Sequence, residues 1–500
     1  MEVTSRLAEF AAGISYNALP ADVRERPKMY LLDALAVSLG AVDFFGRNDE
    51  PLLERYLKAV AVPGPSAVIG YGVRTTPTLA AFANGTLIEA LDYQDSNMDV
   101  LTHNGAPIIP AALAIAEQRD CRWDVIATAI VAGYEVHTRL LRTIQPGHWY
   151  RGFQGLGTFG TCGAATAAGR LLGLDAPTLA AALGVAGCIM PVSSSDNVFR
   201  AFTIKACIPG QAARCGISAA ELARAGYRGV PLEGEPPQHH APLHTLSDRP
   251  KLELALEGLN EEWHCRRVAF KPYPVGHLIV GPVEIVLDIL KERPIKADEV
   301  EGIDIVTYKH AIFRTGKYAT PKSSYIDAHF SIPYCVAVAL IDGELTPRQI
   351  WKTRVRDPKI HELSSRIVLT EDPEMSKAYP RTWPVQLTIR LKSGESITRR
   401  VDEVKWSPER APSWDEIAEK FRSLADPLIG PSRAGRAVEV VANLKAGDHL
   451  GALMRLLAPS GRRAARSRRK PARAKARPTG RRRASREATP KTGRPGAIRR

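Results

Sequence analysis

The chain has 500 residues, 45% of them apolar and 24% charged, which is enough to bury two or three ordinary cores and excludes a wholly disordered or collagen-like polymer. Its formal charge of +15 sits at one end: residues 461–500 hold 17 Lys/Arg against a single acid, Glu487, leaving 51 basic and 52 acidic side chains on the other 460 residues. The body is close to neutral, and the basic isoelectric point belongs to the tail.

The N-terminus, MEVTSRLAEFAAG, has no basic segment leading into an apolar one, and no run of 18 apolar residues occurs. The seven cysteines are scattered and never form C-x-x-C. These features predict a soluble protein of a reducing cytoplasm, with no membrane span, disulfide framework or zinc ribbon.

From about residue 5 to 230 apolar residues recur at three- and four-residue spacing, which predicts helices almost throughout. PKMYLLDALAVSLGA carries a broad apolar stripe. Thr76-Pro77 supplies an N-cap and a first-turn proline for a helix running into TLIEALDYQD. DVIATAIVAGYEVHTRLL is apolar on most faces and is expected at the centre of the bundle. The stretch GTFGTCGAATAAGRLLGLDAPTLAAALGVAG is rich in Gly and Ala, which suits close helix packing better than a phosphate cradle, because no G-x-x-x-x-G-K-[ST] occurs in it.

After about residue 265 the period changes to two: Ile303, Ile305 and Thr307 alternate, as do Val385, Leu387, Ile389 and Leu391. Lys392-Ser393-Gly394-Glu395 predicts a hairpin turn into SITRRVDEV. Helical patterns at IVGPVEIVLDILKERP and FSIPYCVAVALIDGEL make this an α+β unit. Helices then return, with a Ser413/Glu416 capping box and a last helix over LKAGDHLGALMRLLA. The expected fold is mainly α: an all-α domain over 1–264, a smaller α+β lid over 265–400, a helical return over 401–458, and a disordered basic tail over 459–500. Clefts between such parts commonly hold ligand sites. The tail either contacts polyanions or nucleic acid without sequence preference or is a solvated extension.

The densest group of reactive side chains lies in NGTLIEALDYQDSNMDVLTHNG, where Asp92, Asp95, Asp99, Ser96, Asn97 and His103 follow a helix end. A histidine beside carboxylates suits general acid/base work; helix-capping Asx chemistry with a solvent-facing histidine accounts for the same pattern. Lys205 in FTIKACIPGQ, Lys271, Tyr273 and His277 in FKPYPVGHLIVG, and His329 and Tyr334 in DAHFSIPYCV each place a polar group in an apolar frame. A lysine there needs a partner, either a substrate anion or a structural acid. His137, His148 and His361 read as surface or core-satisfied residues, and His239-His240-His244 is a metal tract only in outline.

Taken together, LLDALAVSLGA, NGTLIEALDYQDS, THNGAPIIPAALAIAE, GTFGTCGAATAAGRLLGL, IKACIPGQAARCG, FKPYPVGHLIVG and DAHFSIPYCVAVALIDGEL resemble the MmgE/PrpD family, in the family's order and over roughly residues 5–457. The resemblance implies a homodimer with a site between the helical domain and the lid, free of metal and cofactor, that moves a proton at a carbon beside a carboxylate of a small di- or tricarboxylate. It implies Asp92, His103, Lys205, Lys271 and His277 as catalytic residues, with Ser96, Gln154 and Tyr273 binding substrate. Ser96 stands where many members carry Thr, and Gln154 where decarboxylase-like members carry His. An amide hydrogen-bonds but does not relay protons as imidazole does. The implied activity is a lyase, dehydratase or decarboxylase. Alternatives are an epimerase of an amino- or iminodicarboxylate and a catalytically weakened scaffold with a polyanion-binding tail.

Overall fold

The computed structural model describes residues 2–192, 194–199, 201–235 and 240–459. The expected tail, Pro459 apart, and the polyanion contact suggested for it lie outside the described residues.

Helices fill the first half for the reasons the sequence supplies. The helix Pro77–Glu89 starts where the Thr76 hydroxyl accepts the Leu79 N–H at 3.4 Å. The helix Trp123–Ile144 is buried on nearly every face, with Gly105–Arg119 and Thr158–Leu171 packed on it. These backbones come close at Gly133 and Gly163: a Cβ on Gly163 would stand 2.9 Å from the Gly133 carbonyl oxygen and 2.9 Å from His137 Cβ. The Gly/Ala-rich stretch therefore serves helix packing. Gly163→Ala is expected to cost about 1–3 kcal/mol through overpacking, measurable as a lowered urea midpoint at unchanged slope.

Strands are not confined to the second half. β1 (Ser66–Val68) and β2 (Val73–Thr75) form a small antiparallel hairpin, pinned by Asn84, whose Oδ1 accepts the Ile69 N–H at 2.9 Å. Three residues per strand are too few for an alternating pattern to stand out. The larger sheet holds β3 (Val300–Thr307), β4 (Ile367–Glu371), β5 (Val385–Leu391) and β6 (Ser396–Val401) in the order β4-β3-β5-β6. β3 and β4 run parallel and the other pairs antiparallel. The alternating Ile303, Ile305 and Thr307 and the set Val385 to Leu391 face inward, and the helix Val280–Glu292 packs against β5 and β6. Gly394, at φ +91°, closes the expected hairpin.

Residues 264–279 precede the sheet and run along the helical part. The Tyr30 hydroxyl donates to the Cys265 carbonyl at 2.6 Å, and Ser96 and Ala269 exchange backbone hydrogen bonds at 2.9 and 2.8 Å. The texture change at 265 thus precedes the first lid strand by 35 residues, because this stretch is a connector held in place by the helices.

The returning helix Trp414–Ile429 begins with the Ser413/Glu416 capping box and packs on the helix Ala21–Arg47, where Leu424 covers Gly40. Ala21–Arg47 is long and apolar enough to cross a bilayer, yet here most of it is buried among other helices. Lys420 joins the two: its ammonium donates to Asp33 Oδ1 at 2.7 Å, the Tyr93 carbonyl at 2.7 Å and the Lys271 carbonyl at 3.0 Å, using all three of its protons. The last helix is shorter than its pattern predicts, Gly451–Leu456. Before it, the Asp448 and Ala446 carbonyls accept the Trp123 and Asp124 N–H groups at 2.7 and 3.0 Å. Residues 444–450 therefore stay non-helical and cap the central helix.

Candidate active site

The helix Pro77–Glu89 runs out just before Asp92, whose φ of +50° turns the chain sharply. The loop that follows is fixed by the Ser96–Ala269 pairing and by a second, Asn97–Thr102, with bonds of 2.8 and 3.0 Å. It delivers His103 just ahead of the helix Gly105–Arg119. The connector delivers Lys271 and His277, and a short 3-10 turn, Thr203–Ala206, delivers Lys205. Asp92, His103, Lys205, Lys271, His277 and Gln154, spread over 185 positions of chain, line one cleft of about 720 Å³ with its mouth included.

Its inner end is an ionic cluster. Lys205 Nζ lies 2.5 Å from Asp92 Oδ1 and 2.7 Å from Glu89 Oε1. Lys271 Nζ donates to Asp92 Oδ2 at 2.9 Å and to the Asp92 carbonyl at 2.8 Å. All four side chains are almost wholly removed from solvent. Burial pushes the Asp92 carboxyl up, but the two ammoniums outweigh it and hold the group well below the usual carboxylate range. For Glu89 burial wins, and its carboxyl is raised. The same competition raises Lys205, which has two carboxylates, and lowers Lys271, which burial and the neighbouring Lys205 disfavour.

His103 and His277 face this cluster from the cleft, and His329, buried behind it, is in electrostatic reach of Asp92, Lys205 and Lys271. His103 Nδ1 lies 2.8 Å from the Asp95 carbonyl; a carbonyl only accepts, so Nδ1 carries the proton and Nε2 keeps its lone pair. Burial and the Lys271 charge lower its pKa to about 3, so it is neutral at pH 7. His277 Nδ1 lies 2.9 Å from Ser96 Oγ, its ring edge-on to Trp383 with centroids 5.0 Å apart. Burial, with Lys271, lowers it to about 3 as well.

A buried neutral histidine binds fewer protons than its unfolded counterpart between about pH 3 and 6.5, so its share of stability is lost as pH falls through that window. Replacing His277 by Asn is therefore expected to make the acid-side fall in unfolding free energy shallower by about 1.4 kcal/mol per pH unit. A urea-unfolding series from pH 4 to 7 reads this, and equal slopes would contradict it.

Glu89, Asp92 and His103 also offer ligand atoms within 4.8 Å of one another, the spacing of a metal site. The Lys205 and Lys271 ammoniums already engage those carboxylates, so a divalent ion there would stand against two positive charges.

The MmgE/PrpD N-terminal domain matches residues 5–237, and the MmgE/PrpD C-terminal domain matches residues 273–446. The chain belongs to the MmgE/PrpD family. Its relatives include a cis-aconitate decarboxylase of Aspergillus terreus, 26% identical over 487 residues that span 91% of this chain and 96% of that protein. The human cis-aconitate decarboxylase is 24% identical over 484 residues, 91% and 94% of the two chains. This MmgE/PrpD protein is thus an enzyme of the lyase type.

The remaining expected site residues fall in different places in this family member. Ser96 is buried and reaches the site through His277 rather than by lining the cleft. Tyr273 is a correction: it does not line the cleft, and its neighbours Glu284 and Asp288 place it toward the helix Val280–Glu292, with burial raising its hydroxyl pKa. Lys271 and His277 sit on an irregular connector, so a spacing of two does not carry Tyr273 to their side.

Asp95 is structural: its carboxylate accepts the Gly105 N–H at 3.0 Å and the Tyr134 hydroxyl at 2.7 Å. Asp99 pairs with Arg267 at 2.9 Å on the surface. His148 and His361 are bonded at both ring nitrogens and His137 at one, and none of the three lines the cleft. His239 lies outside the described residues. The sequence reading missed Glu89, the last residue of the helix Pro77–Glu89 and three positions before Asp92. It also missed Arg314, His310 and Tyr379, which line the cleft from the sheet-bearing part.

Proposed function

We propose that the cleft binds a small di- or tricarboxylate of the 2-methylcitrate or cis-aconitate type and acts on it as a cofactor-independent lyase through proton transfer beside a carboxylate. The observation that carries this reading is the facing of a neutral histidine with an open Nε2 lone pair and two buried ammoniums. His103 removes the proton. Each lysine gives two of its three N–H bonds to Asp92 or Glu89 and has one left for substrate oxygen. Those two donors meet negative charge as it builds on the substrate carboxylate, the form of stabilisation that gains most in a dry site. In dehydration the hydroxide leaves with that proton as water; in decarboxylation no proton is removed first, carbon dioxide leaves with the electron pair of the broken C–C bond staying on carbon, and His103 passes a proton from water to that carbon.

Gln154 lines the same cleft with its buried Nε2 unbonded, so in this reading it donates a hydrogen bond to the substrate and moves no proton. The relatives named for cis-aconitate support decarboxylation as the version to test first.

Proton NMR in deuterium oxide with cis-aconitate, citrate, 2-methylcitrate, malate and iminodisuccinate follows elimination, decarboxylation and α-proton exchange together. Net loss of water or carbon dioxide from one acid is the expected result. Exchange without net loss would replace the lyase by an epimerase, and silence across the panel would overturn the reading.

A further inference from the structure

Asp95 does not line the cleft, yet its two ends reach both His103 and the backbone just beyond it. Its main-chain carbonyl accepts the His103 Nδ1 proton at 2.8 Å, and its carboxylate accepts the Gly105 N–H at 3.0 Å. Gly105 opens the helix Gly105–Arg119, so its N–H has no partner within the helix and the carboxylate supplies one from across the loop. The loop from Asp95 to Gly105 is thus closed twice, once on the imidazole and once just past it.

The contact leaves no room for a side chain: a Cβ on Gly105 would stand 2.8 Å from Asp95 Oδ1 and 2.8 Å from the Tyr134 hydroxyl. That hydroxyl donates to Asp95 Oδ2 at 2.7 Å, and the Tyr134 ring stacks on Tyr30 with centroids 4.6 Å apart, which ties the carboxylate to the central helix. The Asp95 N–H donates to the Asp33 carboxylate, the ion-pair partner of Lys420. Burial, with Asp33 nearby, lifts the Asp95 carboxyl to about 7 against the pull of the Tyr134 and Gly105 bonds and of Lys420. Neutral or ionised, the group keeps one oxygen that accepts from Gly105 and one that shares a proton with Tyr134, so its grip does not depend on its charge.

We propose that Asp95 is a positioning residue: its side chain docks the start of Gly105–Arg119 against its own carbonyl and so holds His103 as the Nδ1-protonated tautomer, with Nε2 presented to the cleft. This rests on the lyase reading above, in which His103 transfers the proton, and adds what sets its aim.

Asp95→Asn and Asp95→Ala test the proposal together. The Asn amide accepts from Gly105 through oxygen and donates to the Tyr134 hydroxyl through nitrogen, so kcat should stay within about threefold of wild type. Ala removes both bonds, and kcat should fall about 10–10²-fold with KM within about twofold, the effect of a reacting group displaced by the order of an ångström. Heteronuclear NMR of isotope-labelled histidine, with His103→Ala to assign the ring, should show a protonated Nδ1 in the wild type and the Asn variant and a mixture of tautomers in the Ala variant. Circular dichroism checks folding. Gly105→Ala, which pushes the carboxylate away while leaving Asp95 in the chain, is read in the same two ways if Asp95→Ala does not fold. An unchanged kcat and tautomer in a folded Ala variant, an Asn variant as impaired as Ala, or a wild-type His103 protonated at Nε2 overturns this inference and leaves the lyase reading standing. A tautomer that follows the substitutions in a protein that turns over none of the acids upholds the positioning and overturns the lyase reading.

Discussion

Replacing Asp92 by Asn is expected to destabilise the fold by about 3–5 kcal/mol, because it removes one charge from a buried cluster and leaves its partners in place. Asp92 gives one oxygen to Lys205 at 2.5 Å and the other to Lys271 at 2.9 Å. With the carboxylate neutralised, two buried ammoniums are left with Glu89 alone, which touches only Lys205. Backbone strain is held constant in this comparison: Asp92 has φ +50°, a region that Asn tolerates as well as Asp. Urea unfolding at pH 7 measures the loss. Adding Lys271→Met to the Asn variant should recover part of it, a coupling that a double-mutant cycle isolates. A loss below about 1 kcal/mol would mean that the two lysines are not both charged in the native protein.

His103→Ala is expected to lower kcat by roughly 10²–10⁴-fold, the usual contribution of a positioned acid/base group. Stability should change little, since His103 makes a single bond to a loop carbonyl. The pH profile separates a catalytic loss from a structural one. Because the free enzyme keeps His103 unprotonated down to about pH 3, the wild-type kcat/KM should show no acid-side bend near 6.5. A bend there, lost in the alanine variant, would mean that the imidazole sits in a wetter and more basic environment than the cleft provides.

Much of this site was legible in the sequence because its residues are written in short blocks of unusual composition. Asp92 and His103 were marked by a dense group of carboxylates and a histidine after a helix end, and Lys205, Lys271 and His277 by polar groups inside apolar frames; the structure brings all five to one cleft. The period-2 strands and the Gly394 hairpin were legible for the same local reason. What escaped depends on contacts made far along the chain. Glu89 matters because of an ammonium 116 residues away, and nothing near it in sequence marks it out from other helix-end acids. Residues 444–450 lose their helix to orphan N–H groups more than 300 residues earlier. Arg314 has the surroundings of an ordinary surface arginine until Trp149 and the cleft are placed beside it.

Lys420 carries a consequence for the order in which this protein is made. A nascent chain that has already emerged with Asp92, His103, Lys205, Lys271 and His277 lacks, for another 143 residues, the ammonium that joins Asp33 to the Tyr93 and Lys271 carbonyls. Until then Asp33 would be a buried carboxylate without its counter-ion, and the Tyr93 and Lys271 carbonyls would lack this donor. The groups that line the cleft are thus synthesised early and braced late, so a chain that stops short of residue 420 holds every reactive side chain of the cleft and lacks the ammonium bonded to the backbone beneath Lys271.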